Sequence, residues 1–106
     1  MEPRVEQRKH RRHPVHFKSI YSTDGARIED GVVLDLSLGG CRMTSTIAIP
    51  SGTPMDLHLR PDVDTSIHVP RAVVRWVGNS AFGVEFYELP ELETRMLTRL
   101  LWSLPT

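Results

Sequence analysis

The sequence predicts a mainly-β domain, a small closed or nearly closed antiparallel barrel with a basic N-terminal arm before it and one amphipathic helix at its end. Three observations carry this expectation. Apolar residues alternate with polar ones through most of the chain, most clearly where Met55, Leu57 and Leu59 alternate with Asp56, His58 and Arg60, the period-2 pattern of a half-buried strand. Turn-forming residues interrupt the alternation at Asp24-Gly25, Gly39-Gly40, Pro50 to Pro54, Pro61 to Ser66 and Gly78-Asn79-Ser80. The period then changes to four at Leu92, Met96, Leu100 and Leu104, as on one face of a helix.

Residues 1–14 are polar, lack periodicity and end at Pro14; they read as an arm with too little apolar surface to offset its own ordering entropy. Residues 15–106 read as the barrel with its helix. Val15 and Phe17 begin a first strand, Ile28 to Leu38 form a second and Cys41 to Ile47 a third. A fourth follows at Met55–Leu59. The fifth, Ile67 to Val77, contains Pro70, which implies an edge position or a bulge there. Ala81–Tyr87 returns beside it as a hairpin. About six strands in a meander, at this length, make a small barrel. The helix is expected over about 90–103, with Pro90 at its first position and Glu91 and Glu93 facing its positive end. Leu97 and Leu101 widen its apolar stripe, and Trp102 is expected to pack it against the barrel.

Composition narrows the function. The 106 residues carry no net charge at pH 7, but the charge is unevenly spread. Residues 1–18 hold six basic and two acidic side chains, whereas the rest hold seven and eleven. A basic arm on a mildly acidic body suits anion binding by the arm better than nucleic-acid binding over a whole surface. No apolar run exceeds three residues, far short of the roughly 20 that a membrane helix needs. With no secretory signal pattern and one cysteine, Cys41, a cytoplasmic protein is expected.

Two short motifs stand out. Arg8-Lys9-His10-Arg11-Arg12 places arginines four apart in the arm, and Asp35-Leu36-Ser37-Leu38-Gly39-Gly40 lies where a strand meets a turn. Each is weak alone. In this order, ahead of further strands and a closing helix, they resemble the PilZ domain family, whose signature is R-x-x-x-R followed later by D/N-x-S-x-x-G. Arg8 and Arg12 match the first half; Asp35, Ser37 and Gly40 match the second. Val73-Val74-Arg75-Trp76 and Phe82-Gly83-Val84-Glu85-Phe86 are similar to the family's later strands.

That resemblance implies a six-stranded antiparallel barrel that binds cyclic di-GMP and acts as a receptor, not an enzyme, with no cofactor. The ligand is a dianion with two guanines. A guanidinium donates bidentately to guanine O6 and N7 or to phosphate, or lies flat on a purine, so Arg8 and Arg12 are the first candidates and Lys9, a point charge, a lesser one. Asp35 and Ser37, two apart on a strand, are expected on its outer side, with Leu36 and Leu38 in the core. Gly40, with Gly39 beside it, is expected to allow a positive φ and close approach of the ligand. Trp76 is open to two readings: the resemblance implies an aromatic stacked on guanine, while its parity with Val74 and Ala72 points to the core. Gln7 stands where the family's residue influences ligand stoichiometry, which stays open. Signalling is expected through an effector protein in trans, contacted when the arm orders on the ligand.

Other chemistries fit less well. His10, His13 and His16 are spaced by three, but Pro14 interrupts a helix and no cysteine pair or carboxylate cluster completes a metal site. A Ser37 nucleophile has no G-x-S-x-G elbow and no positioned base. A barrel binding single-stranded nucleic acid is the stronger rival, but it needs a basic groove with interleaved aromatics, and three Phe, two Trp and two Tyr are all there are. A PilZ-like adaptor that does not bind the messenger is the remaining alternative.

Overall fold

The alternating segments pair edge to edge until the sheet closes on itself. The structure, a computed structural model, describes residues 10–105. Six strands, β1 (His13–Ser22), β2 (Glu29–Leu36), β3 (Gly40–Ser45), β4 (Pro54–Asp62), β5 (Thr65–Val77) and β6 (Phe82–Phe86), are followed by helix α1 (Glu91–Ser103). All pairings are antiparallel, in the closed order β1-β2-β3-β6-β5-β4. Closure leaves no unpaired edge. Inward-facing Tyr21, Leu36, Met43, Leu57, Ile67 and Val74 fill the barrel and are fully buried.

The expected meander is corrected in one respect. β3 pairs with β6, and β4 closes the barrel against β1, so the chain between Ser45 and Pro54 crosses one end of the barrel. Ile49 in that link is 4% exposed and joins the core. Alternation tells which face of a strand is apolar, not which strand lies beside it.

Element ends also move. β1 begins at His13, because His13 and Pro14 pair with Leu36 and Asp35; proline is tolerated at a strand's start. β2 stops at Leu36, and the β4–β5 turn narrows to Val63-Asp64. Pro70 sits in a bulge, since Met55 and Leu57 face Ala72 and Val69. Pro90 is the N-cap, in extended conformation, rather than the first helical residue.

The helix buries Leu97 and packs Met96, Leu100 and Leu101 against the core. Trp102, expected to dock the helix, is instead 85% exposed, and Leu92 is 58% exposed. Each lies five residues from Leu97, which is about 140° around the helix. The true stripe is centred on Leu97.

Candidate functional site

Arg12 directly precedes β1, and the His13–Leu36 and Pro14–Asp35 pairings carry it to the end of β2. There its Nη1 donates to Asp35 Oδ1 at 2.7 Å. Asp35 faces Arg42 across the β2–β3 ladder, and Arg42 Nε donates to Oδ2 at 3.0 Å. Side-chain exposure is 16% for Asp35, 27% for Arg12 and 41% for Arg42. One carboxylate thus orients two guanidinium groups, leaving excess positive charge and further N–H donors for an incoming acceptor. Sequence reasoning did not single out Arg42. Its neighbours Cys41 and Met43 alternate inward, which puts it on the outer face, but only the register ties it to Asp35.

A bulge makes this possible. Val33 and Asp35 pair with the consecutive residues Met43 and Arg42, so Leu34 is an extra residue on β2. Without it Asp35 would share the inward face of Val33; with it, Leu36 turns inward and Asp35 outward. On the inner side of the same ladder, Cys41 is fully buried, and burial pushes its thiol up to about 12, with the nearby Asp35 charge adding to the rise.

Ser37 differs from expectation. β2 has ended, and Ser37 lies in the turn, 5% exposed. Its hydroxyl donates to the Gly40 carbonyl and accepts from Gly39 N–H, both at 3.2 Å, while its own N–H donates to the Gly40 carbonyl at 2.9 Å. The hydroxyl is therefore engaged in shaping the turn. Gly40 also has a different reason to be glycine: its φ is not positive, and a Cβ there would collide with the Val84 carbonyl oxygen on β6.

Trp76 turns outward. Val74 and Trp76 pair with the consecutive residues Val84 and Gly83, and the bulge at Arg75 breaks the parity that would have put Trp76 beside Val74 in the core. The indole, 41% exposed, lies against Gly83, where any Cβ would collide with it. Arg75, at the bulge itself, borders the same hollow as Trp76. Arg75 Nε donates to Glu85 Oε1 at 2.7 Å, and its guanidinium lies 5.3 Å from the Tyr87 ring centroid. Arg71 pairs with Glu88 at 2.7 Å.

The hollow, of about 320 Å³, is bordered by Arg12, Ser37, Gly39, Gly40 and Trp76, together with His10, Arg75, Gly83, Val84 and Glu85. Asp35 reaches it through Arg12. Gln7, Arg8 and Lys9 lie outside the described residues. An exposed indole face beside a guanidinium and a close-packed glycine turn suits a planar, anionic heterocycle: the ring stacks, and the arginine supplies donors to phosphate or base acceptors.

Residues 6–102 match the family model described as PilZ domain. Among solved structures, the fold is similar to a PilZ domain of YcgR from Escherichia coli with c-di-GMP, at 16% identity and TM-score 0.79, covering 92% of this chain and 91% of that one. A longer structure of YcgR from the same organism in complex with c-di-GMP gives 15% identity, TM-score 0.79 and 92% coverage, the chain spanning 45% of that protein. The inhibitor of motility MotI/DgrA of Bacillus subtilis gives 19% identity and TM-score 0.74, covering 98% of this chain and 58% of that one. No curated protein matches the chain.

Proposed function

Because the chain belongs to the PilZ domain family, we propose that it is a receptor for cyclic di-GMP, bound in the hollow between the β2–β3 turn and Trp76. The observation that carries this reading is the convergence of Arg12, the Ser37–Gly40 turn and an outward tryptophan on one hollow, each placed there by a different strand. Support also comes from the similar fold of the c-di-GMP-bound YcgR domain.

In this reading Arg12 donates to guanine O6 and N7 or to phosphate, and Trp76 stacks on a guanine. Asp35 is chiefly a positioning residue, since both of its oxygens already hold guanidinium groups. Gly39 lets the backbone at the hollow's edge approach the ligand closely, while Gly40 holds the turn tight against β6. The residues ahead of β1 act as a basic arm, and the barrel domain begins with His13 and Pro14, which pair with β2. Arg8 joins Arg12, with Lys9 adding charge, when the arm closes over the ligand. The changed surface then alters contact with an effector protein in trans, with no catalysis by this chain.

Calorimetric titration of the chain with cyclic di-GMP tests this. Saturable binding at micromolar or lower concentration is expected, weakened by about tenfold or more in Arg12→Ala, the worth of one bidentate contact. Absence of binding, with single-stranded oligonucleotides bound instead, would overturn it in favour of a nucleic-acid-binding barrel. Absence of both would leave the messenger-independent adaptor.

A further inference from the structure

Away from the hollow, one group of side chains among the described residues has the composition and spacing of metal ligands: Asp56 and His58 on β4 with His68 on β5. Asp56 and His58 are two residues apart on one strand and share its outer face. The β4–β5 register sets His58 opposite His68, and side chains so paired have Cβ atoms about 4.5–5.5 Å apart. That register is fixed from the inside, where Leu57, Leu59, Ile67 and Val69 are fully buried; a slip of one residue would turn them all to solvent.

The imidazoles lie face to face, with centroids 4.3 Å apart and planes 4° from parallel. His68 Nε2 is 2.9 and 3.0 Å from the two Asp56 oxygens, and His58 Nε2 is 3.5 Å from Oδ1. One ligand atom from each residue lies within 4.8 Å of the others. Ligand atoms about 2.0–2.1 Å from one tetrahedral zinc ion are about 3.3 Å from each other. The two carboxylate–imidazole separations already match that spacing, so side-chain rotation alone need close the gap between the rings. Exposures of 37% for His58, 41% for His68 and 48% for Asp56 leave the group open to an ion from solvent.

We propose that Asp56, His58 and His68 form a binding site for a divalent transition-metal ion of the zinc class on the outer wall of the barrel. Two imidazole nitrogens and one carboxylate suit zinc and disfavour magnesium and calcium, which take oxygen ligands. When the ion enters, the proton that His68 Nε2 donates to Asp56 passes to solvent, the neutral ring carries its one proton on Nδ1, and the freed Nε2 lone pair binds the cation in the proton's place. Three protein ligands leave the fourth position to water or to a donor from another molecule. A hydrogen bond between Asp56 and His68 would account for two of the three residues; the ion accounts for all of them. This site is independent of the messenger-binding reading.

Calorimetric titration of the full chain with zinc chloride in a non-chelating buffer is the test. One ion per chain is expected, with no comparable heat from magnesium. His58→Gln and His68→Gln should each weaken binding by about tenfold or more, and the double variant should abolish it. In the unaltered protein, the imidazole NMR signals of His58 and His68 should shift together at one equivalent, a readout that needs no variant to fold. The proposal is overturned if no stoichiometric binding occurs, if the double variant binds as the parent does, or if the shifting imidazoles are His10, His13 and His16.

Discussion

Replacing Asp35 with asparagine removes one negative charge and keeps the side chain's size. Two charge-assisted bonds, at 2.7 Å to Arg12 and 3.0 Å to Arg42, are weakened together. A fully exposed ion pair contributes roughly 0.2–1 kcal/mol, and a hydrogen bond to a charged group about 1.5–3 kcal/mol. With Asp35 at 16% exposure, the pair of bonds falls between these limits, and a loss of about 2 kcal/mol is expected. For a domain of this size that lowers Tm by about 8 °C. The effect on cyclic di-GMP is separate. Arg12 keeps its charge but loses its restraint, and ordering a free arginine costs up to about 2 kcal/mol, or roughly 30-fold in Kd. Calorimetry on Asp35→Asn, Arg12→Ala and the double variant measures this as a cycle. If Asp35 acts through Arg12, Asp35→Asn should cost little further affinity once Arg12 is alanine, giving a coupling of at least about 0.5 kcal/mol. Additive losses would refute the positioning role and make Asp35 a direct ligand contact.

Trp76→Ala should weaken cyclic di-GMP binding by about tenfold or more, given about 1–3 kcal/mol per stacked base, with little change in Tm because the indole is half exposed; calorimetry paired with a melt separates the two. Gly40→Ala should destabilise the fold by about 1–3 kcal/mol, read from urea unfolding, because the new Cβ meets the Val84 carbonyl. Cys41 should resist iodoacetamide at pH 8 until the protein unfolds, being buried with its thiol pushed up to about 12. The same shift has a stability signature. The unfolded thiol ionises near 9 and the folded one near 12, so the unfolded chain releases its proton first and stability falls as pH rises through that window. Burial raises the Tyr21 hydroxyl too, in the same direction. Urea melts from pH 8.5 to 10.5 should therefore show a shallower decline in Cys41→Ala than in the parent.

What the sequence discloses and what it withholds divide along physical lines. The strands are legible because the barrel has one dry face and one wet one, so Met55, Leu57 and Leu59 announce themselves. The helix is legible from its change of period, although of the positions four apart only Met96 and Leu100 pack against the core, Leu92 being exposed and Leu104 lying at the C-cap, because the stripe is centred on Leu97. Strand order is not legible, since alternation is the same in a meander and in a barrel whose β3–β4 link crosses its end. Bulges matter most for the site. Leu34 and Arg75 each insert one residue and reverse parity, which sets Asp35 and Trp76 on the outer surface. Pro70 betrays its own bulge because proline cannot donate to the ladder, but leucine and arginine carry no such mark. Arg42 beside Asp35, and His68 beside His58, are products of register between strands and become visible only in three dimensions.

The most direct test follows backbone and indole N–H signals of the 15N-labelled chain as cyclic di-GMP is added. Shifts at Arg12, Gly39, Gly40, Gly83 and the Trp76 indole are expected at stoichiometric ligand, joined by those of Arg8 and Lys9. Unmoved signals at these positions in saturating ligand, or shifts gathered instead around Trp102 on the helix, would contradict the placement of the ligand between the glycine turn and Trp76.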